Sequence, residues 1–502
     1  MSNDSKKLDL ICLGRVAVDL YGQQIGARLE DMGSFAKYLG GSSGNLAYGA
    51  ARQGLKSSML ARVGNEHMGR FVREELQRAG VDTGHLITDP DRLTALVVLG
   101  IKDENTFPLI FYRENCADMG IRKEDIDEDY ISSARALAIT GTHLSHPDTR
   151  EAVLTALDYA GKHSLKRALD IDYRPVLWGL TDPGDGETRY ITSETVTQQL
   201  QEVLHHFDLI VGTEEEFHIA GGSTDTLQAL KNVRRVSDAT LVCKRGPIGS
   251  SVFPEAIPDD LDQGLTVGGV RVKVLNVLGA GDAFMSGLMR GYLGDESCRY
   301  ANACGALVVS RHGCAPAMPS REELDYYLEH AEAIPRPDLD PGLQHLHRVT
   351  TRDRRWPQLN LMAFDHRAQF AALARETGVS ITQIPALKNL ILEAVQEVAK
   401  GLAPDTKAGV FIDGTYGQEA LNRITGQNWW VARPIELPGS RPLRLEHGDI
   451  GSQLRTWPLE QIVKCLVFYS PEDEPGLRLE QEQQIREIYR ACCMSGHELL
   501  LE

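Results

Sequence analysis

The sequence predicts an α/β protein with a mainly parallel sheet, and three observations predict it. Short β-rich runs alternate with helical patterns through the first two thirds of the chain, as in βαβ units. The 502 residues, 42% hydrophobic and 25% charged, suffice for two or three domains with a buried core. The alternation restarts after a Pro- and Gly-rich stretch near residue 335, which indicates a second α/β domain.

In the first two thirds, the elements follow from the spacing of apolar residues. Strands are predicted over 10–14, 58–63, 136–140, 168–171, 209–211 and 240–243, and helices over 45–53, 67–79, 149–162, 195–205 and 321–333. Two further β-rich runs, 94–101 and 107–113, are joined by a short polar segment and predict an antiparallel hairpin. The hairpin is interpreted either as a flap over a site or as a sheet edge without function.

A change of composition marks the predicted domain boundary. Residues 334–342 and 352–357 combine Pro, Gly and charge with little periodicity, which is typical of a linker. We therefore predict a first domain over 1–334, a linker over 335–357 and a second domain over 358–502. Strands of the second domain are predicted over 359–364, 408–412, 430–432, 462–468 and 498–501.

Charge and composition exclude several classes of partner. The chain has 53 Lys and Arg against 70 Asp and Glu, a net charge of −17, which argues against nucleic acid or an anionic membrane. We expect no signal peptide and no membrane span, and hence a cytoplasmic protein. The nine Cys contain no C-x-x-C pair, so neither a disulfide framework nor a Cys-type zinc site is indicated. An anionic ligand must therefore be held by local geometry.

The segment Asn276-Val-Leu-Gly-Ala-Gly-Asp282 carries the strongest chemical signal. A strand predicted over 271–275 enters a Gly-Ala-Gly turn, and a helix begins there with Asp282 in its first turn. Free N–H groups at such a helix start bind phosphoryl groups, and an Asp there can accept the proton of an attacking hydroxyl. The alternative is an ordinary strand-turn-helix with Asp282 as the cap.

A second Gly-rich turn, Gly40-Gly-Ser-Ser-Gly-Asn45, also precedes a helix of small residues. Gly40 and Gly41 permit close backbone contact with a ligand, and Asn45 can hydrogen-bond a polyol. The same segment matches the G-x-S-x-G pattern of α/β-hydrolases. That pattern should follow a core strand, and residues 30–39 do not resemble one, so a hydrolase is disfavoured.

Taken together and in this order, the two motifs resemble the ribokinase/PfkB family of sugar kinases, over about residues 8–333. The resemblance implies a ribokinase-like three-layer α/β/α sandwich with a small β lid, which would be the hairpin. It implies that Asp282 is the catalytic base and that the N–H groups of Gly279, Ala280 and Gly281 form the anion hole for the γ-phosphoryl group. The implied sugar-binding residues are Asp19, Gly40, Gly41 and Asn45.

The resemblance also implies ATP and Mg²⁺ as cofactors, with two departures from the family pattern. The Asn-x-x-Glu segment that positions Mg²⁺ is Thr213-Glu-Glu-Glu216, so Glu216 is the implied metal residue. The Thr-x-Gly-x-x-Gly phosphate segment begins with Lys244, where a cation could compensate. The implied nucleotide-binding residues are Thr213, Glu216, Lys244, Gly246, Gly249 and Asn302.

The segment that begins at Asp170 indicates which class of sugar the chain could bind. Asp170 and Asp172 share one face of a predicted strand, and Arg174 lies just beyond its end. Arg174, with Arg113 from the lid, could pair with the carboxylate of a sugar acid, or each Arg could pair with a neighbouring acidic residue. The segments are most similar to family members that phosphorylate the terminal hydroxyl of a keto sugar acid.

The sequence leaves other interpretations open. The chain could be a kinase for another sugar acid or for a ketose, or a non-catalytic sugar-binding regulator that keeps the fold. The expected partners are a small-molecule sugar acid and ATP, and a homodimer is possible.

The second domain is similar, more weakly, to the tagatose-bisphosphate aldolase type of class I (β/α) barrel, through 362–367, 411–417 and 462–469. Lys464 lies in an apolar strand, where desolvation would lower its pKa and favour a Schiff base, or it reaches solvent at the strand end. Arg433 and Glu436 are candidates for phosphate binding and proton relay. Because a complete barrel needs about 250 residues, we expect an incomplete one.

Overall fold

The computed structural model describes residues 6–103, 105–294, 298–351 and 357–502. The chain divides into two compact units, Met1–Asp353 and Arg354–Glu502. Part of the predicted linker and one residue of the predicted hairpin turn lie outside the described residues. In the described ranges, no helix combines the length and the apolar content that a membrane crossing requires.

The first unit contains a large sheet, a small sheet and their helices. Its strands are β1 (Leu8–Leu13), β2 (Ala17–Gly22), β3 (Phe35–Gly40), β4 (Ser57–Gly64), β5 (Leu86–Asp89), β6 (Leu96–Leu99), β7 (Leu109–Tyr112), β8 (Ala134–Thr140), β9 (Lys166–Asp170), β10 (Leu209–Thr213), β11 (Thr240–Lys244), β12 (Gly249–Phe253) and β13 (Leu265–Gly268). Its helices are α1 (Ser42–Arg52), α2 (His67–Arg78), α3 (Glu128–Ser132), α4 (Pro147–Lys162), α5 (Glu194–Gln201), α6 (Glu214–Gly221), α7 (Thr226–Val236), α8 (Ala280–Leu293), α9 (Arg299–Val309), α10 (Arg321–Glu329) and α11 (Pro341–Thr351).

The large sheet has nine strands in the order β13-β12-β11-β10-β9-β8-β1-β4-β5. Only its β12 and β13 edge is antiparallel. Alternate residues of β1 enter two different cores: Leu10 and Cys12 pack with α1, α8 and α9, whereas Ile11 and Leu13 pack with α4 and α6. Helices therefore cover both faces, and the predicted three-layer α/β/α sandwich is confirmed.

The predicted hairpin is confirmed as the antiparallel pair β6 and β7. It belongs to a four-stranded sheet in the order β3-β2-β6-β7, which we call the lid sheet. Its own core contains Tyr21, Val97 and Leu109. The sequence predicted the hairpin but not β2 and β3, which make the lid sheet twice as wide.

Two predictions between β13 and the second unit differ from the structure. The strand predicted over 271–275 is wrong, because this segment is irregular and the N–H of Leu275 donates instead to the carbonyl of Val309, at 2.7 Å. The segment predicted as a linker contains α11. This helix is held by the fully buried Leu343 and by His347, whose Nδ1 lies 2.9 Å from Glu323 Oε2.

The second unit contains one parallel sheet, in the sequential order β14-β15-β16-β17-β18. Its strands are β14 (Gln358–Ala363), β15 (Thr406–Phe411), β16 (Trp430–Pro434), β17 (Gln461–Cys465) and β18 (Leu499–Leu501). Its helices are α12 (Ala368–Thr377), α13 (Ile384–Ala399), α14 (Gln418–Ile424), α15 (Ile450–Leu454) and α16 (Pro475–Ser495). All five predicted strands are present, and sequential parallel order is that of part of a (β/α) barrel, as expected.

Candidate active site

The predicted site residues of the first unit gather at one edge of the large sheet. Asp172 and Arg174 follow β9, Thr213 ends β10, Lys244 ends β11, and Asp282 lies in the first turn of α8. Asp19 and Gly40 belong to the lid sheet, and Arg113 follows its strand β7. Because β1 lies between β4 and β8, the chain winds outwards from it in both directions. Ligands of open α/β sheets bind at such a reversal, beyond the carboxyl ends of the strands.

The start of α8 has the geometry that an anion site needs. Gly279 adopts a left-handed φ of 80°, and a Cβ there would collide with the side chain of Cys314. Gly281 has no Cβ, and one placed there would lie 3.2 Å from the ammonium nitrogen of Lys244. Within the part of the chain that the structure describes, the N–H of Ala280 makes only a long hydrogen bond, of 3.4 Å, to the Val277 carbonyl. The turn therefore presents backbone N–H groups beside a cation.

Asp282 lies in the first turn of α8 and is oriented by α1. Its Oδ2 accepts a hydrogen bond from the side-chain amide of Asn45 at 2.8 Å. Burial raises the pKa of Asp282 to about 8, with a further increase from the charge of Asp172. The carboxyl is thus a stronger base than an exposed Asp. Asn45 was predicted to bind a polyol, and in the structure its amide positions the Asp282 carboxyl. The Oδ1 atom of Asn45 is buried and has no hydrogen-bond partner among the described residues.

Asp19 extends from β2 on the lid side of the site and is 7% exposed. Burial raises the pKa of Asp19, the nearby charge of Arg15 partly offsets this increase, and the resulting pKa is about 6. The carboxylate fits only because Gly40 on β3 has no Cβ, which would overlap it. Gly41 has φ 87°, and a Cβ there would lie 2.6 Å from the carbonyl of Arg15. The two glycines let α1 begin close to the Asp19 strand.

Lys244 at the end of β11 joins two buried carboxylates. Its Nζ lies 2.9 Å from Asp170 Oδ1 and 3.3 Å from Glu216 Oε2. Burial lowers the pKa of Lys244, but the two carboxylates outweigh it and the net pKa is raised. Thr213 caps α6, since its hydroxyl accepts from the N–H of Glu216 at 3.2 Å and its own N–H donates to Glu216 Oε2 at 2.7 Å. Threonine in place of the family's asparagine thus still holds the glutamate.

The remaining predicted nucleotide residues surround the turn after β11. Gly246 and Gly249 have φ values of 58° and 111°, and a Cβ on Gly249 would overlap the carbonyl of Val267. The amide of Asn302 donates to the carbonyls of Val267 at 2.8 Å and Gly268 at 3.1 Å. Asn302 therefore fixes the end of β13, the strand that borders this turn.

The two arginines predicted to bind a carboxylate differ in their surroundings. Arg113 is buried, and its Nε is 2.7 Å from Asp118 Oδ2, so it pairs with a neighbouring acidic residue. Arg174 is half-buried, and its charge together with burial lowers the pKa of Arg189 to about 9. Asp172 is buried with a left-handed φ of 37°, and its Oδ2 has no hydrogen-bond partner among the described residues.

Sequence reasoning missed two cations of this site. Arg189 comes from the irregular segment before α5, whose sequence carries no motif. Arg15 follows β1 directly, is 8% exposed, and lowers the pKa of both Asp19 and Asp282. Arg15 carries no signal in the sequence, because a single arginine in an apolar run does not show whether it is buried or paired.

In the second unit, the environment of Lys464 contradicts the predicted low pKa. Its Nζ lies 3.2 Å from Asp365 Oδ2, 3.8 Å from Glu436 Oε1 and 3.1 Å from Glu502 Oε2. Burial lowers the pKa of Lys464, but the carboxylates outweigh burial and the pKa is raised. The apolar strand pattern could not show these acidic neighbours, which come from other segments. Lys464 is therefore held as an ammonium ion.

The other candidates of the second unit are also engaged. Glu436 Oε1 accepts from Arg367 Nη2 at 2.8 Å, and the Arg433 guanidinium lies 4.1 Å from the centre of the Trp457 ring. Burial lowers the pKa of Arg433.

Each of the two units matches a known protein family. The family described as "pfkB family carbohydrate kinase" matches residues 7–321. A family described as "Uncharacterized protein conserved in bacteria (DUF2090)" matches residues 323–502. A protein named 5-dehydro-2-deoxygluconokinase from Geobacillus kaustophilus is 33% identical over 338 residues, covering 65% of this chain and 95% of its own. A protein of the same name from Bacillus subtilis is 32% identical, covering 65% of this chain and 98% of its own.

Solved structures match the first unit over nearly their full length. A PfkB protein from Polaromonas superposes with a TM-score of 0.52 at 26% identity, covering 63% of this chain and 99% of its own. An uncharacterized sugar kinase from Pyrococcus horikoshii, in complex with ATP, superposes with a TM-score of 0.53 at 25% identity, covering 64% of this chain and 99% of its own.

Proposed function

Since the chain belongs to the PfkB family of carbohydrate kinases, we propose that it transfers the γ-phosphoryl group of ATP to the terminal hydroxyl of 5-dehydro-2-deoxy-D-gluconate. One observation carries the proposal: Asp282, hydrogen-bonded to Asn45 at 2.8 Å, lies in the first turn of α8 beside the Gly279–Gly281 backbone. The proteins named 5-dehydro-2-deoxygluconokinase, which match over nearly their whole length, support this substrate.

Asp282 acts as the base in this proposal. Its carboxylate accepts the proton of the terminal hydroxyl while that oxygen forms a bond to the γ-phosphorus and the bond to the ADP oxygen breaks. A pKa near 8 suits this role, because a base of higher pKa takes the proton more readily. Asn45 holds the carboxylate at one orientation during the transfer.

The backbone at the start of α8 stabilises the charge of the transferred group. The N–H groups of Gly279, Ala280 and Gly281 point out of the first turn, where the helix dipole favours an anion. Lys244 stands next to Gly281 and adds a positive charge. A fixed set of donors lowers the barrier because it does not reorganise as charge moves onto the equatorial oxygens.

Glu216 fits the role of the Mg²⁺ residue. Its carboxylate is held by the Thr213 N–H and by Lys244, and these interactions, against the effect of burial, lower the pKa of Glu216. Among the described residues, no group of three or more His, Cys, Asp or Glu is placed to hold a metal. Mg²⁺ in kinases is held by one or two carboxylates together with phosphates and water, so a single glutamate suffices. When bound, Mg²⁺ supplies charge neutralisation on the β- and γ-phosphates.

Substrate selection tests the proposal. In a coupled ADP-release assay, we expect kcat/KM for 5-dehydro-2-deoxygluconate to exceed that for 2-dehydro-3-deoxygluconate or fructose by at least about tenfold. The reason is that only the matching ligand forms hydrogen bonds with all the buried polar groups of the site. No turnover of the first compound, with turnover of another, would assign a different sugar. Binding by calorimetry without any ADP release would assign a non-catalytic regulator.

We further propose that residues 1–334 form the kinase domain, that 335–357 connect it to the domain 358–502, and that the chain acts in the cytoplasm. The raised pKa of Lys464 favours a scaffold over an aldolase for the second domain. Expression of residues 1–353, which retain α11 and its buried Leu343, tests whether the first unit acts without the second, with full kinase activity as the expected result. Gel filtration of the full chain tests the possible homodimer.

A further inference from the structure

Arg15 is a buried cation that forms no ion pair with any residue that the structure describes. It follows β1, at the point where the sheet order reverses, and is 8% exposed. Its Nε is buried without a hydrogen-bond partner, and it takes part in no ion pair within the described ranges. A buried charge is costly unless it is paired, so such an arginine in a crevice indicates a missing anion.

The backbone around Arg15 places the side chain inside the sugar half of the site. The carbonyl of Arg15 accepts from the N–H of Gly44 at 3.1 Å, in the first turn of α1. One residue later, Asn45 binds the catalytic carboxyl of Asp282. The guanidinium carbon lies 5.3 Å from the ring centre of Phe111 on the lid sheet. The backbone of Arg15 is therefore held by α1, and its guanidinium lies against Phe111 of the lid sheet.

Further unpaired polar atoms lie on the same side. His143 is fully buried, with Nε2 3.2 Å from the carbonyl of Asp118 and Nδ1 unpaired. Burial, together with the charges of Arg113 and Arg15, lowers the pKa of His143 to about 3 and keeps the ring neutral. Arg113 is already neutralised by Asp118 at 2.7 Å, which leaves Arg15 as the charge available to a ligand there.

Arg174 is the competing candidate, and its surroundings favour the nucleotide side. Arg174 follows β9, which pairs with β10, the strand that ends at Thr213 and leads to Glu216. Arg15 instead acts on Asp19 and Asp282, the residues on which the sugar would lie.

We propose that Arg15, under Phe111 of the lid sheet, is the residue that recognises the carboxylate of the sugar acid, and that it sets the preference for an acid over a neutral sugar. This inference rests on the proposed function. A guanidinium presents paired donors that match a carboxylate, which a neutral hydroxyl or amide cannot fully replace.

The test compares one ligand pair on three variants of the full chain. The ligands are 5-dehydro-2-deoxygluconate and its uncharged primary amide, each with saturating MgATP in an ADP-release assay. For Arg15→Met we expect kcat/KM for the acid to fall about 30-fold or more, while kcat/KM for the amide changes less than about threefold. Arg15→Lys should lose about tenfold on the acid, because it keeps the charge but not the paired donors. Arg135→Met, which removes a cation paired with Asp9 at 3.1 Å, is the control and should leave the preference unchanged.

The outcomes separate this inference from the proposed function. If the unmodified chain does not phosphorylate the acid, the proposed function fails. If the unmodified chain does phosphorylate the acid, and Arg15→Met lowers kcat/KM equally for the acid and the amide or for neither, Arg15 is not the carboxylate ligand. If Arg15→Met does not fold, Arg15→Lys decides by the same ratio, and an unchanged acid-to-amide preference overturns the inference.

Discussion

Replacement of Asp282 by Asn removes the proposed base while keeping its shape. The Asn45 amide can still donate to the new side-chain oxygen, so the local hydrogen bond at 2.8 Å survives. Loss of a general base lowers kcat by about 10²- to 10⁴-fold. ATP affinity should stay within about twofold, since the nucleotide-side residues are unchanged.

The change of kcat/KM with pH is a second test of Asp282 as the base. With a pKa of about 8, about a tenth of Asp282 is ionised at pH 7 and about half at pH 8. In the unmodified chain, kcat/KM should therefore rise about fivefold between pH 7 and 8, whereas Asp282→Asn should show no such rise.

Stability serves as the folding control. Because the folded-state pKa of Asp282 lies above the ordinary 3.8, its contribution to stability is complete below pH 3.8 and is lost as pH rises through about 8. The Asn variant has no such loss and should melt at or above the temperature of the unmodified chain at pH 8. Asp208→Asn, at the opposite end of the sheet and paired with Arg167 at 3.0 Å, is the matched control with unchanged kcat. Near-normal kcat in Asp282→Asn with normal ATP binding would refute the base assignment.

Three further results are expected. Asn45→Leu removes a hydrogen bond that lowers the pKa of Asp282, so the rise of kcat/KM should move to higher pH; an unmoved profile would show that Asn45 does not position the base. Lys244→Met leaves two buried carboxylates unpaired, so urea unfolding should show a loss of about 3 to 5 kcal/mol together with a higher KM for ATP, and an unchanged midpoint would contradict the buried ion pair. Borohydride with dihydroxyacetone phosphate should leave the mass of the Lys464 peptide unchanged, since a lysine held as an ammonium ion is a poor nucleophile; a mass adduct would show Schiff-base chemistry.

Much of the fold could be predicted because its signals are local. The apolar run of β1 alternates between two cores, and the polar interruption between β6 and β7 marks a hairpin. The helix α8 begins where the Gly-Ala-Gly turn predicts, with Asp282 in the first turn. By contrast, the segment 271–275 has a strand-like pattern but finds its hydrogen-bond partner at the end of α9 rather than in a sheet.

The charge environment of the site could be predicted less well, since it depends on residues far apart in sequence. Lys464 meets Asp365 across 99 positions, which reverses the pKa expected from its strand. For Arg113 the sequence left two partners open, a ligand carboxylate or a neighbouring acidic residue, and the structure shows the second, Asp118. Arg15 gave no signal, because a single arginine in an apolar run is informative only once its burial and its lack of a partner are known.

The central claim is that the first unit phosphorylates the terminal hydroxyl of a keto sugar acid, and product analysis tests it most directly. The full chain is incubated with 5-dehydro-2-deoxygluconate and MgATP, and the product is identified by phosphorus NMR and mass spectrometry. We predict one phosphomonoester, coupled to the protons of the terminal carbon and formed in equal amount with ADP. ADP without a phosphomonoester, or phosphate on another oxygen, would contradict the account.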